Sequence, residues 1–262
     1  KADYVGIPAF VSRVFRHSGF YIRTDRGIEK PEDLRGKLVG TPEFQMTAPV
    51  WMRGILDDEY GIKSNEIRWR SGGQEEAGRD ERTPFTAPDG LDLEPIPLDR
   101  TLVEMFESGE LDALTTARAP SSYTLGKPNI DRLFPDFRTA EKEYYKKTSI
   151  FPIMHLMGLR KDLAEAHPWL VGSLYKAFVE ARDVAYKDIA KTAALPNVLP
   201  WVNAEVKDTI DLMGPNFWRY GVEECRHEIE ALARYSYNDG LSEKLMTPEE
   251  LFAESTFELS KI

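Results

Sequence analysis

Arg13, Arg16 and His17 crowd one short segment of a chain whose formal net charge is -10. A guanidinium is a planar fork that grips a carboxylate through two parallel N–H donors, and an imidazole exchanges protons near neutral pH. Together these groups suit the capture of a small organic anion followed by proton transfer. In a flat strand residues 13 and 17 share one face while residue 16 takes the other. The segment must therefore bend for all three to meet one ligand; otherwise they are surface charges on a hinge.

Other groups carry weaker signals. Glu43 and Gln45 sit in a loop, residues 41–48, that joins a buried strand to a helix, where free backbone N–H groups favour anions. Thr47 in that loop also reads as an ordinary N-cap. Gly72 and Gly73 would let backbone approach a ligand closely, but the stretch up to Arg82 lacks both the Walker spacing and the dinucleotide fingerprint. Arg118 follows a strand directly, at its carboxyl end. His155 lies among Ile153, Met154, Leu156 and Met157, and by its neighbours alone it reads as a hydrogen-bonded core histidine. No two histidines have metal-ligand spacing, so no metal is expected. Cys225, the single cysteine, excludes an internal disulfide and sits in a charged run, Glu223 to His227, that reads as a solvated helix.

Several elements would have to position these groups. Residues 19–23 read as a strand, 36–42 as a buried strand, 48–60 as a helix closed by Gly61, and 67–69 as the next strand, which makes a β-α-β unit. Residues 71–90 form a long aperiodic loop of the kind that often carries function. A short helix at 102–106 and a strand at 111–116 follow, then an irregular aromatic stretch at 127–145 and a strand at 150–159. Helices are expected at 168–189, 205–212, 223–235 and 248–252. The 262 residues allow two lobes. With 42% hydrophobic and 30% charged residues there is core material and no run of the ~18 apolar residues that a membrane crossing needs. A pI near 5.1 argues against nucleic acid as a partner and for a small molecule.

The segments Ser12-Arg13-Val14-Phe15-Arg16-His17-Ser18, Glu43-Phe44-Gln45-Met46-Thr47 and Phe151-Pro152-Ile153-Met154-His155 resemble the 4,5-dihydroxyphthalate decarboxylase family. So do Asp33-Leu34-Arg35-Gly36-Lys37, Trp51-Met52-Arg53-Gly54-Ile55-Leu56, Gly72-Gly73 with Gly78-Arg79, Gly109-Glu110-Leu111-Asp112-Ala113, Arg132-Leu133-Phe134-Pro135 and His167-Pro168-Trp169. The likeness covers nearly the whole chain. It implies an α/β, two-lobed fold like that of type II periplasmic binding proteins, with a ligand cleft between lobes. Residues 1–29 and 150–262 are expected to form one lobe and residues 30–149 the other. The family carries a further N-terminal β-α-β portion, so the resemblance also implies that this segment is missing here.

The resemblance further implies removal of CO2 from an aromatic dihydroxy-dicarboxylate, with no cofactor because the substrate's own phenol is the electron reservoir. His17 and His155 would handle the proton, with Glu43 beside them. Arg16, Arg53, Arg79 and Arg118 would hold the carboxylates, Gly73 would let backbone approach, and Arg13, Glu43 and Gln45 would orient the hydroxyls and the arginines. The expected compartment is the cytoplasm, and the helix-rich tail is a candidate surface for a homo-oligomer. The alternative is a non-catalytic solute-binding protein of an ABC transporter, which would be periplasmic and would take an aromatic or other organic acid in a similar arginine-lined cleft.

Overall fold

The computed structural model describes residues 3–257. Its strands run in chain order as β1 (Tyr4–Arg13), β2 (Phe20–Arg23), β3 (Leu38–Thr41), β4 (Arg68–Ser71), β5 (Leu93–Pro95), β6 (Ala113–Thr115), β7 (Ile130–Arg132) and β8 (Ile153–Arg160). The α-helices are α1 (Thr47–Tyr60), α2 (Leu102–Ser108), α3 (Ser121–Thr124), α4 (Phe137–Thr148), α5 (Lys161–Ala166), α6 (Pro168–Ile189), α7 (Val202–Met213), α8 (Arg226–Asn238) and α9 (Pro248–Leu251). None of these helices is long and apolar enough to cross a membrane. The chain divides into two compact units.

The first unit comprises the chain up to Val14, Lys142–Glu230 and the chain from Met246. β1 pairs antiparallel with β8, and its register is interrupted between Ile7 and Ser12. That gap accommodates Pro8, which has no N–H to give a ladder. Ile7, Phe10 and Ile153 from the ribbon pack with Val171 and Tyr175 of α6 and with Val222 and Cys225, and this is the unit's core.

The second unit comprises Phe15–Glu141 and Ala231–Leu245. Its six-stranded sheet has the order β5-β4-β3-β6-β2-β7. β5, β4, β3 and β6 are parallel to one another, and β2 runs antiparallel to both β6 and β7. The expected β3-α1-β4 unit is present, with Val50, Trp51, Met52, Ile55 and Leu56 of α1 buried. On α2, Leu102, Met105 and Phe106 pack with Leu111, Leu114 and Tyr21. A capping box starts α2, since Thr101 Oγ1 accepts the Glu104 N–H at 3.1 Å and a Glu104 carboxylate oxygen accepts the Thr101 N–H at 3.0 Å. Tyr235 lies so close over Gly54 that a β-carbon there would stand 2.2 Å from its ring. The same tyrosine packs edge-on against Trp51, with ring centroids 5.5 Å apart.

The unit boundaries differ from the expected ones at 29/30 and 149/150. β2 joins the second unit because it is hydrogen-bonded between β6 and β7. Residues 231–245 join it through Tyr235 and through Asp239, which pairs with Arg53. The stretch read as irregular contains β7 and α4. Asp136 caps the start of α4 by accepting the Thr139 N–H at 3.1 Å, and Tyr144 and Tyr145 are its buried positions.

Candidate active site

In the second unit, β3, β4 and β6 are adjacent parallel strands, and the loops that leave their carboxyl ends line a cavity of about 340 Å³. Parallel α/β sheets place ligands at such ends. The lining includes Pro42, Glu43 and Met46 after β3, Gly72 to Glu76 with Arg79 and Arg82 after β4, and Thr116 to Arg118 after β6. A β-carbon on Gly73 would fall 1.8 Å from the Glu76 carbonyl oxygen, so only glycine permits this turn. The Gly73 and Gln74 carbonyls accept the Leu102 and Val103 N–H groups, which ties the loop to the start of α2. Gln74 also accepts the Thr116 hydroxyl at 2.5 Å and donates to the Arg118 carbonyl at 3.2 Å, so it joins the loops after β4 and β6.

Three guanidiniums surround the cavity. Arg82 pairs with Glu43 at 3.1 Å, and Arg79 with Glu76 at 2.8 Å. Among the described residues the Arg118 guanidinium has no ion-pair partner. Glu75 is engaged by the Ser121 N–H and hydroxyl at 2.9 and 2.7 Å. Glu43 is the least exposed of the three lining carboxylates, its side chain being 16% accessible against 73% for Glu76. A larger cavity of about 420 Å³ in the same unit lies where the chain enters β4 and β5, and its walls carry Asp57, Asp89 and Asp239 against Arg53 and Lys63. An excess of carboxylates is unsuited to a dianion, so the 340 Å³ cavity is the candidate site.

Of the residues singled out in the sequence, this cavity brings together Glu43, Gly73, Arg79 and Arg118. Gln45 does not line it. Its amide donates to the Thr83 carbonyl at 2.7 Å and to Glu81 at 3.3 Å. Gln74, Arg82 and Thr116 do line it and were not singled out. Their signals were the position directly after a glycine pair, a basic residue within the same loop, and the end of a strand.

Arg16 and His17 enter a tight turn, His17–Gly19, so the chain bends here without bringing Arg13 to the same place. The turn is fastened by Glu141, which accepts the backbone N–H of Ser18 at 3.3 Å and that of His17. Arg132 donates to the Ser18 carbonyl at 3.2 Å. His17 is buried edge-on against Phe134, and desolvation lowers its pKa to about 4, so it is neutral at physiological pH. Burial raises the Glu141 pKa to about 7, opposed by the Ser18 N–H, Arg132, the His17 N–H and Arg16. Burial also lowers the Arg16 pKa, with Glu141 opposing. Neither Arg16 nor His17 is part of the cavity wall.

Three further assignments differ from expectation. Arg13 is 3% exposed in the first unit, and its guanidinium donates to the Phe151 and Arg219 carbonyls, to Glu228 and to the Cys225 sulfur. Its donors serve the protein's own groups rather than a hydroxyl of a ligand. Arg53 is likewise engaged, by Asp239 at 2.7 Å and the Phe44 carbonyl at 2.8 Å. His155 lies on an exposed position of β8 opposite Ser12, where the strand passes from buried Ile153 and Met154 to exposed Leu156.

No protein-family model matches the chain. A 4,5-dihydroxyphthalate decarboxylase of Comamonas testosteroni is 41% identical over 261 residues, which span this whole chain and 79% of that protein. A 4,5-dihydroxyphthalate decarboxylase of Pseudomonas putida is 44% identical over 148 residues, 56% of this chain and 57% of that protein. Among solved structures, the periplasmic aliphatic sulphonate binding protein SsuA of Escherichia coli is 14% identical with a TM-score of 0.49, over 98% of this chain and 75% of that one. The desulfurization enzyme DSZB is 15% identical with a TM-score of 0.42, over 98% and 84%. By the identity carried through its full length, the chain belongs to the 4,5-dihydroxyphthalate decarboxylase family.

Proposed function

We propose that this chain removes one carboxylate from 4,5-dihydroxyphthalate as CO2 and that the reaction takes place in the cavity around Arg79, Arg82 and Arg118. The observation that carries the reading is a set of three guanidiniums at the carboxyl ends of parallel strands, one of them without a counter-ion among the described residues, in a chain 41% identical to a decarboxylase of that name. The substrate is a dianion. Arg118 takes the carboxylate that is retained, through two parallel N–H donors. The other carboxylate enters beside Arg82 and displaces Glu43.

The reaction balances as the dianion plus one proton giving 3,4-dihydroxybenzoate and CO2. The proton goes to the ring carbon that bears the departing carboxylate. The hydroxyl para to that carbon supplies electron density, and the electrons of the breaking C–C bond restore aromaticity. Glu43, the most sheltered carboxyl in the wall, delivers the proton to that carbon. Product formation is followed by chromatography of 3,4-dihydroxybenzoate together with released CO2. The purified chain is expected to convert 4,5-dihydroxyphthalate and to leave phthalate, which lacks the hydroxyls, unchanged. Binding of 4,5-dihydroxyphthalate without any product would overturn the reading.

A further inference from the structure

Phe44, the residue after Glu43, has both of its backbone hydrogen-bonding groups held by buried or half-buried charge. Its N–H donates to Glu81 at 2.5 Å, and its carbonyl accepts from Arg53 Nη2 at 2.8 Å. The Arg53 guanidinium also lies 3.6 Å from the centroid of the Phe44 ring, which packs edge-on against Trp69 and stacks with Phe85. Arg53 is in turn fixed by Asp239, whose Oδ2 accepts its Nε–H at 2.7 Å while Oδ1 accepts the Ser64 hydroxyl at 2.5 Å. Arg53 and Asp239 are both almost fully buried. A buried pair is weak ground for stability, because desolvation offsets much of its attraction. Its geometry does more here: a rigid guanidinium with one edge on Asp239 leaves the other edge in one place, against the Phe44 carbonyl.

We propose that Asp239 is a positioning residue for the decarboxylation, acting through Arg53 and the Phe44 peptide to fix where Glu43 presents its carboxylate to the cavity. The inference rests on the reading of that cavity as the active site. Without Asp239, the counter-charge that remains to Arg53 is Glu81, with which it already interacts electrostatically. Glu81 now accepts the Phe44 N–H and the Gln45 amide, so a shift of Glu81 toward Arg53 would undo both anchors together. Loss of Asp239 therefore reaches both sides of the Phe44 peptide at once.

The cavity of about 420 Å³ that Asp239, Arg53 and Ser64 line gives small carboxylates a route to this pair and supplies the test. Asp239→Ala is expected to lower kcat about 10- to 100-fold, the cost of a small misplacement of a reacting group, while KM stays within about twofold. Backbone hydrogen exchange at Phe44 and Gln45 is expected to speed up, with α2 unchanged. Added formate should restore kcat in Asp239→Ala by filling the vacated site, and should not do so in Glu43→Gln. Ser64→Ala, which removes one hydrogen bond to Asp239 and leaves the charge, should show the same changes in smaller measure and serves if Asp239→Ala does not fold. Wild-type kcat and wild-type protection of Phe44 in either folded variant would overturn the proposal, as would a loss of kcat that formate does not relieve. If the unaltered protein forms no product, the proposed function fails on its own, and the exchange of Phe44 still decides whether Asp239 holds the loop.

Discussion

Glu141 accepts the backbone N–H of Ser18 at 3.3 Å, and this bond makes a residue of α4 the anchor of the turn that carries Arg16 and His17. The turn thereby gathers two groups with opposite responses to protons. Burial holds His17 neutral and holds Glu141 protonated to higher pH than an ordinary carboxyl.

The pH dependence of stability should show both. His17 falls from 6.5 in the unfolded chain to about 4 when folded, so its contribution is complete above pH 6.5 and is lost as pH falls through about 4. The loss amounts to roughly 3 kcal/mol at about 1.4 kcal/mol per pH unit. Glu141 rises from 4.5 to about 7, so its contribution is present below pH 4.5 and is lost as pH rises through about 7. Urea unfolding from pH 4 to 8 should therefore show His17→Phe less acid-sensitive than the wild type. Glu141→Gln should lose less stability than the wild type between pH 4.5 and 7. Parallel curves for all three proteins would contradict these assignments.

Arg118→Ala should raise KM for 4,5-dihydroxyphthalate about 10- to 100-fold, the value of one charge-assisted pair. Arg118→Lys should recover part of the loss, because an ammonium keeps the charge and forfeits the fork. Steady-state kinetics on the three proteins checks this, and an unchanged KM in Arg118→Ala would move the carboxylate elsewhere.

Arg13→Met should destabilise the protein by about 3 kcal/mol, at the lower end for breaking a buried ion pair. The lower end applies because Glu228 keeps Arg219 at 2.7 Å. KM in the folded variant should match the wild type. A raised KM with normal urea resistance would return Arg13 to the substrate.

Cys225 should be inert in the native protein. Burial raises its thiol pKa to about 12 although Arg13 opposes the shift, so almost no thiolate exists at pH 8. Alkylation with iodoacetamide is expected to be negligible when folded and rapid in urea. Prompt labelling of the native protein would show that the first unit's core is open.

The β3-α1-β4 unit was legible because Val50, Trp51, Ile55 and Leu56 recur at helical spacing between two short apolar runs. β5 and β7 were not, since each offers a single large apolar side chain, Leu93 or Ile130, among proline and charged residues. Part of the candidate site could be read locally: Glu43, Gly73, Arg79 and Arg118 each stand on a loop that leaves a strand. The arginines that misled are those whose partners lie far along the chain. Arg13 meets Glu228 across 215 positions and Arg53 meets Asp239 across 186, and no local pattern distinguishes such a guanidinium from one that faces a ligand.

The excursion of residues 231–245 into the second unit bears on synthesis at the ribosome. Chains emerge amino end first, so residues 15–141 leave the exit tunnel long before Tyr235 and Asp239 follow. Until then the guanidinium of Arg53 lacks its ion-pair partner and the notch above Gly54 stands unfilled. The nascent sheet must wait, partly assembled, until residues 231–245 have followed the whole of residues 142–230 out and can close it.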